Sequence, residues 1–171
     1  MVTAPEDVWA WLDDVKDPEV PVLSVVELGI VRDVRVDEGA VTVTITPTYS
    51  GCPAMFEIEQ EIRRALGAHG VERVSLETVY APAWTTDWMS DAAKQKLVAY
   101  GIAAPGRVAD APNVISIRSR RGAATQSAPA VPCPYCGSHD TELRSQYGST
   151  ACKAIQFCRA CQQPFEEFKT L

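Results

Sequence analysis

Apolar residues recur at helical spacing in three stretches of the first hundred residues. The first stretch predicts a short helix whose apolar face consists of Val8, Trp9, Leu12 and Val15. The second predicts an amphipathic helix that begins at Pro53 and ends near Gly67, because proline fits the first helical position and glycine often follows the last. The third follows Ser90, which can cap a helix, and ends at Gly101.

Between the helices, apolar and polar residues alternate with the period of two that is typical of half-buried strands. Residues 30–36 and 41–46 predict a hairpin around a turn at 37–39, and residues 71–79 predict a third strand. One face of the hairpin is expected to hold Val34, Val36, Val41, Val43 and Ile45. The order helix, hairpin, helix, strand indicates an α+β fold, a small sheet with helices packed on it.

Composition divides the chain into three parts. Residues 1–117 form the predicted α+β domain, to which 113–117 could add an edge strand. Residues 118–132 contain three arginines, then small and polar residues with two prolines, and predict a linker. Residues 133–171 form the third part, which is too short to build a sufficient hydrophobic core unaided.

Four of the six cysteines stand in two Cys-x-x-Cys pairs in this third part. Cys133 and Cys136 are separated from Cys158 and Cys161 by 21 residues, which is the spacing of a four-thiolate zinc site built from two knuckles. Bound metal would supply the folding free energy that the small core lacks. We therefore predict a C-terminal zinc ribbon, packed by Phe157, Phe165 and Phe168.

Cys52 stands in the turn before the second helix and is the candidate reactive thiol. With Pro53 at the first helical position, Cys52 is the predicted N-cap, where unpaired N–H groups and the helix dipole favour thiolate over thiol. A thiolate is both a nucleophile and a soft metal ligand. The alternative is that Cys52 is a small buried hydrophobic residue. No histidine lies near it in sequence, which disfavours a cysteine hydrolase.

Three further residues are candidates for roles beside this thiol or a metal. Glu27 is the single acidic residue in an apolar segment, so it needs a partner or a pocket unless it is solvated or caps a turn. Thr46 ends the strand before the Cys52 turn, and both are expected near the thiol. Cys152 lies outside the two cysteine pairs and is read as buried filler or a spare ligand.

Charge and composition exclude some classes of function. The net charge is −6, and residues 1–106 carry 8 Lys and Arg against 17 Asp and Glu, or −9, which would repel a phosphate backbone. No leader pattern opens the sequence and no run reaches membrane-spanning length. We expect a soluble, unexported protein in a reducing compartment, hence cytoplasmic, that binds neither nucleic acid nor membrane.

The first hundred residues resemble the metal–sulfur cluster biosynthesis domain family. The motifs that carry the resemblance are Asp17-Pro18-Glu19-Val20-Pro21, Leu28-Gly29-Ile30-Val31 and Thr48-Tyr49-Ser50-Gly51-Cys52-Pro53. Members of that family act in maturing or targeting iron–sulfur proteins. The resemblance implies that Cys52 corresponds to their reactive cysteine.

Nearly the whole chain resembles the family of D subunits of bacterial phenylacetyl-CoA epoxidase systems. Further motifs are Trp84-Thr85-Thr86-Asp87-Trp88-Met89, Cys133-Pro134-Tyr135-Cys136-Gly137-Ser138, Gly148-Ser149-Thr150-Ala151-Cys152-Lys153-Ala154 and Pro164-Phe165-Glu166-Glu167-Phe168-Lys169. The resemblance implies an accessory protein of a multicomponent oxygenase in phenylacetate degradation. Its oxygenase contains a di-iron centre, its reductase contains an iron–sulfur cluster, and both components are the expected partners.

The chain itself lacks the motifs of the oxidising components. It has no Glu-x-x-His pair for a di-iron centre and no Gly-x-Gly-x-x-Gly for a nucleotide. We therefore expect a maturation factor rather than an enzyme, in which the Cys52 thiolate transiently holds iron or a cluster, or forms part of a protein contact, with Glu27 and Thr46 as neighbours. The ribbon would serve as a docking module, and a homodimer could bring two copies of Cys52 to one cluster.

Three alternatives stay open from the sequence. The chain could be a non-catalytic structural subunit of the oxygenase itself. It could be a nucleic-acid-binding zinc ribbon, although the charge balance disfavours this. It could also be a thiol oxidoreductase using Cys133 with Cys136, which two matched cysteine pairs argue against.

Overall fold

The computed structural model describes residues 4–49, 51–107 and 130–171 as two sheets and three α-helices. The helices are α1 (Pro5–Asp13), α2 (Ala54–Ala68) and α3 (Asp91–Ala99), and a 3₁₀ turn covers Thr86–Trp88. The first sheet contains β1 (Val31–Asp37), β2 (Ala40–Ile45) and β3 (Arg73–Thr78). The second contains β4 (Ile102–Ala103), β5 (Thr141–Ser145), β6 (Lys153–Cys158) and β7 (Pro164–Phe168). The fold class is the predicted α+β.

The first sheet has the order β1-β2-β3, with an antiparallel hairpin and a parallel third strand. Val34 lies opposite Val43, and Val36 lies opposite Val41, so the predicted shared face of the hairpin is confirmed. The alternate residues of β2, together with Ile58, Ile62 and Leu66 of α2, are fully buried. One face of the sheet is thus covered by helices, and Cys52 comes just before the helix that covers it.

The segment between α1 and β1 is irregular but largely buried. The Asp17 side chain fixes the backbone at the start of this segment. One of its carboxylate oxygens accepts hydrogen bonds from the backbone N–H groups of Glu19 at 2.8 Å and Val20 at 2.7 Å. The apolar side chains that follow are buried, namely Val20, Leu23, Val25, Leu28 and Ile30. The Asp17 carboxylate is therefore held beside the core.

The second sheet has the order β4-β7-β6-β5 and takes its first strand from the chain directly after α3. Ile102 pairs with Glu166, and Ala103 pairs with Glu167, in parallel. The backbone N–H of Thr86 also donates to the carbonyl oxygen of Leu171 at 3.1 Å. The four-cysteine region is therefore joined by hydrogen bonds to the part of the chain that precedes it.

Phe168 packs elsewhere than the sequence predicts. The sequence places it in the ribbon with Phe165, but it is 1% exposed within the core of the first sheet, and its ring centroid lies 6.1 Å from that of Trp84. Trp84 is itself buried and donates its indole N–H to the carbonyl oxygen of Leu28 at 2.9 Å. Phe165 packs with Cys133 and Cys158 as predicted.

Two predictions fall outside the described residues. They are the edge strand at 113–117 and most of the linker at 118–132. Among the helices in the described ranges, none is long and apolar enough to cross a membrane.

Candidate metal centres

The four paired cysteines converge at one point in the second sheet. Their sulfur atoms all lie within 4.8 Å of one another, with Cys133 Sγ 3.7 Å from Cys161 Sγ and Cys136 Sγ 3.6 Å from Cys158 Sγ. A tetrahedral zinc ion with Zn–S bonds of about 2.3 Å requires sulfur separations of about 3.8 Å. The donor set therefore fits a closed four-thiolate zinc site.

Each cysteine pair sits on a tight turn that aims both thiols inward. The backbone N–H of Gly137 donates to the carbonyl of Cys133, and that of Gln162 donates to the carbonyl of Cys158, both at 2.9 Å. Gly137 and Gln162 have positive φ angles of 73° and 60°, which close the two knuckles. The backbone N–H of Cys161 lowers the pKa of Cys158 to about 7, whereas burial and the neighbouring thiols raise the pKa of Cys161 to about 12.

Cys52 lies one residue further from the helix than the sequence predicts. The N-cap of α2 is Pro53, with φ −69° and ψ −22°, so the prediction that Cys52 is the N-cap is wrong. The proline supplies the helical φ already at the cap position. The backbone N–H of Cys52 donates to the carbonyl of Tyr49 at 3.1 Å, which makes the Cys52 turn compact. Its side chain is partly exposed.

Cys52 opens onto a cavity of about 10 Å³ between the two sheets. The polar and sulfur-bearing side chains of its wall are Asp17, Glu19, Thr48, Cys52, Met55 and Cys152. The apolar part is formed by Val20, Leu28, Ile30 and Phe168. A cavity of this size holds about one water molecule. Two thiols, a thioether and two carboxyl groups therefore share a space with room for one small ligand.

The prediction of a thiolate at Cys52 is wrong for the protein without a bound cation. Burial raises the pKa of the Cys52 thiol, and the carboxylates of Glu19 and Asp17 raise it further. The backbone N–H of Ala54 and the Thr48 side chain lower the pKa of Cys52, but by less than the other groups raise it. Burial and the nearby Cys52 likewise raise the pKa of Tyr49 to about 12. The electrostatics of the cavity therefore keep the thiol protonated.

Cys152 directly precedes β6 of the second sheet and faces the same cavity. It is 4% exposed, its Sγ lies 3.0 Å from the Thr150 hydroxyl, and its thiol donates to Glu19 Oε2 at 3.7 Å. Burial, with Glu19, raises the pKa of Cys152 to about 11. The neighbouring Lys153 is 4% exposed; its ammonium donates to the Glu19 carbonyl at 3.2 Å and lies 3.1 Å from a Glu166 carboxylate oxygen.

Neither Glu27 nor Thr46 lines this cavity. The Glu27 carboxylate accepts from the Ser24 backbone N–H at 3.0 Å and pairs with Lys96. Although burial opposes it, the Lys96 ammonium and the Ser24 N–H lower the pKa of Glu27. Thr46 is 1% exposed, and its hydroxyl has no hydrogen-bond partner among the residues that the structure describes.

Sequence reasoning did not select Glu19 as a candidate site residue, and it interpreted Cys152 as buried filler or a spare ligand. Both belong to motifs that carry the family resemblance, Asp17-Pro18-Glu19-Val20-Pro21 and Gly148-Ser149-Thr150-Ala151-Cys152-Lys153-Ala154. Those motifs were the only signal, because no spacing rule connects two residues that are 133 positions apart.

Two protein families match two separate parts of the chain. The family described as "Iron-sulfur cluster assembly protein" matches residues 5–83. The family described as "PaaD zinc beta ribbon domain" matches residues 118–169. The first range includes Cys52 and Glu19, and the second includes Cys152 and the four paired cysteines.

Some relatives align with nearly the whole chain and others only with about its first half. A protein of Escherichia coli K12, named as the D subunit of a "Putative 1,2-phenylacetyl-CoA epoxidase", is 40% identical over 96% of this chain and 92% of its own. A protein of Porphyromonas gingivalis W83 named "Fe-S protein maturation auxiliary factor" is 38% identical over 54% of this chain and 89% of its own. A crystal structure of a domain of unknown function, DUF59, from Bacillus anthracis is 32% identical, with a TM-score of 0.52 over 54% of this chain and 90% of its own.

Proposed function

Because the chain belongs to the family of phenylacetyl-CoA epoxidase D subunits, we propose that it is an accessory protein that matures an iron centre of such an oxygenase system. In this proposal it does not oxidise the substrate. The observation that carries the proposal is the position of Cys52, a partly exposed thiol in the turn before α2, within the part of the chain that matches iron–sulfur cluster assembly proteins. Thiolate sulfur is a preferred ligand of iron in clusters.

The protonated state of Cys52 suits transfer better than storage. A thiol whose pKa is raised by burial and by Glu19 stays neutral until a cation arrives, and binding then releases the proton to solvent. When the cation leaves, reprotonation removes the charge from a partly buried site. The same residue can therefore take up and give up iron near neutral pH.

The proposed clients are the two iron-containing components of the system, the oxygenase with its di-iron centre and the reductase with its iron–sulfur cluster. The metal site of the zinc ribbon is closed and leaves no thiol free for transfer. The ribbon would therefore contribute a surface that docks on a client rather than a site that carries iron. Self-association, which would bring two copies of Cys52 to one cluster, stays a prediction.

The experiment that tests this function measures iron and acid-labile sulfide in both clients. They are produced in cells that carry the wild-type chain, its Cys52→Ser variant, or the surface control Glu72→Gln. We expect the Cys52→Ser cells to yield soluble, folded clients with less than about half of the normal iron, and the Glu72→Gln cells to match wild type. Normal iron and normal turnover with Cys52→Ser would reject the proposal.

A second candidate is a non-catalytic structural subunit of the oxygenase complex. It is favoured by the name of the E. coli relative, which is a subunit, and by an open groove of about 490 Å³ lined by Tyr100, Tyr135 and Lys153. Stoichiometric co-purification with the active oxygenase would support it. An oxygenase that keeps its activity after this chain is removed would argue against it and favour maturation.

Binding to nucleic acid is a weaker candidate. Residues 1–106 carry −9, so a phosphate backbone would be repelled from this part of the surface. Salt-sensitive binding to duplex or single-stranded nucleic acid would be needed to support that function.

A further inference from the structure

We infer that Cys52, Cys152 and Glu19 form a second metal-binding site, which takes up a single ferrous ion at the junction between the two sheets. Only the identity of the ion rests on the proposed function. The site differs from the four-cysteine centre in position and in ligand set. It also differs from a cluster site built on Cys52 alone, because two of its ligands lie outside the Cys52 turn.

The first argument is convergence of donors from three separate segments. Cys52 comes from the turn before α2, Glu19 from the segment after α1, and Cys152 from the residue before β6. All three line one cavity, and the Cys152 thiol already donates to Glu19 Oε2 at 3.7 Å. Three potential ligands from distant positions therefore line the wall of one small cavity beside the apolar core.

The second argument is that the ligand types match a first-row divalent cation. Two thiols and a carboxylate combine soft and hard donors, and the thioether of Met55 and the hydroxyl of Thr48 border the same space. A cavity of about 10 Å³ admits one ion but no cluster with several irons and bridging sulfides. The geometry therefore favours a single ion over a preformed cluster.

The third argument is charge. Binding releases the two thiol protons to solvent, so two thiolates and the Glu19 carboxylate surround one doubly charged cation. The ammonium of Lys153 donates to the Glu19 carbonyl and lies 3.1 Å from a Glu166 carboxylate oxygen, and its charge favours a thiolate at the neighbouring Cys152. This buried cation is already paired with Glu166, so it offsets part of the charge of the anionic ligands, and the Asp17 carboxyl group borders the same cavity.

The test uses the full chain loaded with one equivalent of zinc, kept reduced and free of oxygen, and titrated with ferrous iron. We expect about one iron to be retained per chain beside one zinc. Cys52→Ser and Cys152→Ser should each retain less than about a tenth of that iron, and Glu19→Gln should bind at least tenfold more weakly. The exposed carboxylate control Glu72→Gln should bind as wild type.

Cobalt gives a second readout that reports the ligands themselves. Cobalt(II) added to the zinc-loaded chain should give a sulfur-to-metal charge-transfer band that is absent from both serine variants. The zinc content of each variant, expected at one per chain, shows that the ribbon has folded. Cys152→Ala, which keeps a small apolar residue in the core, separates loss of a ligand from disturbed packing and should also lose the iron.

The outcomes separate this inference from the proposed function. Iron retention by Cys152→Ser equal to wild type would overturn the two-thiol site, even if Cys52→Ser still starves the client proteins of iron. No retention of a second metal by the wild-type chain would also overturn it. Conversely, wild-type retention of one iron with unchanged client iron in Cys52→Ser cells would keep the site and reject the maturation function.

Discussion

The two groups of cysteines in this protein differ in how they are assembled. The four paired cysteines lie within one short stretch, on two knuckles whose backbone turns aim the sulfurs at one point. Cys52 and Cys152 are far apart in the sequence and line one cavity only because the second sheet packs against the core of the first. The first group is a complete and closed ligand set, whereas the second is a partial set beside a small cavity.

This difference matches the two roles that we propose, a structural metal in the ribbon and a transferable one beside Cys52. Four thiolates around one zinc leave no coordination position for exchange, so that metal contributes to folding. In the proposed second site, two thiols with raised pKa values and a carboxylate would bind a cation with the release of two protons, through a partly exposed entrance at Cys52. The two proposals thus assign the stability of the fold and the transfer of metal to different cysteines of one chain.

The largest expected effect is removal of the four-thiolate metal. In zinc-finger peptides such binding contributes about 10–16 kcal/mol, so Cys158→Ser or a strong chelator should unfold the ribbon. Because Phe168 of the ribbon packs near Trp84, the emission of tryptophan should shift to the red as zinc leaves, and zinc should reverse the shift. An unchanged emission after complete metal loss would show that the first sheet is independent of the ribbon.

The next effect compares two phenylalanines of β7. Phe168→Ala should lower the free energy of unfolding by about 3–5 kcal/mol, because it empties a fully buried position in the shared core. Phe165→Ala is the matched control, since that side chain packs against Cys133 and Cys158, and its main effect should be weaker zinc retention. Urea denaturation and zinc competition measure the two effects, and interchanged results would contradict the assignment.

A smaller effect is the pH dependence that Cys152 contributes. Its folded pKa of about 11 is raised, so the fold favours the protonated thiol, and this stabilisation is present below the unfolded pKa. As the pH rises from about 9 to 11 the unfolded chain loses its proton first, and on the order of 2 kcal/mol of stability should be lost. The urea midpoint of the zinc-loaded Cys152→Ala variant should fall less steeply with pH than that of the zinc-loaded wild-type chain. Equal slopes of midpoint against pH would contradict this prediction.

The smallest effect compares Glu19 with Glu27, two carboxylates of the segment between α1 and β1. Because burial is the main cause of the raised Cys52 pKa, removing the Glu19 charge should speed alkylation of Cys52 at neutral pH only about two- to fivefold. Glu27→Gln, whose carboxylate pairs with Lys96, should leave the rate unchanged. Peptide mapping after timed exposure to iodoacetamide measures both rates. A larger response to Glu27→Gln would return that residue to the thiol site.

Local patterns predicted the elements, but the second site depends on contacts that no local pattern encodes. Alternation fixed the face shared by Val34 and Val43, and the Cys-x-x-Cys spacing identified the ribbon ligands, because these signals come from neighbouring positions. The protonation state of Cys52 was mispredicted because its position before the helix favours a thiolate. Burial and the Glu19 carboxylate, which both result from tertiary packing, favour the protonated thiol instead. Phe168 was assigned to the wrong core for the same reason.

The strand order of the second sheet also implies an order of events during synthesis. β4 is synthesised well before its partner β7, and both cysteine knuckles lie between these two strands in the sequence. The two strands can therefore pair only after both knuckles have been synthesised. Pairing between distant segments is slow, and we expect the knuckles to need zinc in order to fold, so the wall that holds Cys152 and Phe168 should be completed last. A newly made chain would then form the proposed iron site only after it has bound zinc. The supply of zinc would therefore determine when the chain can bind iron.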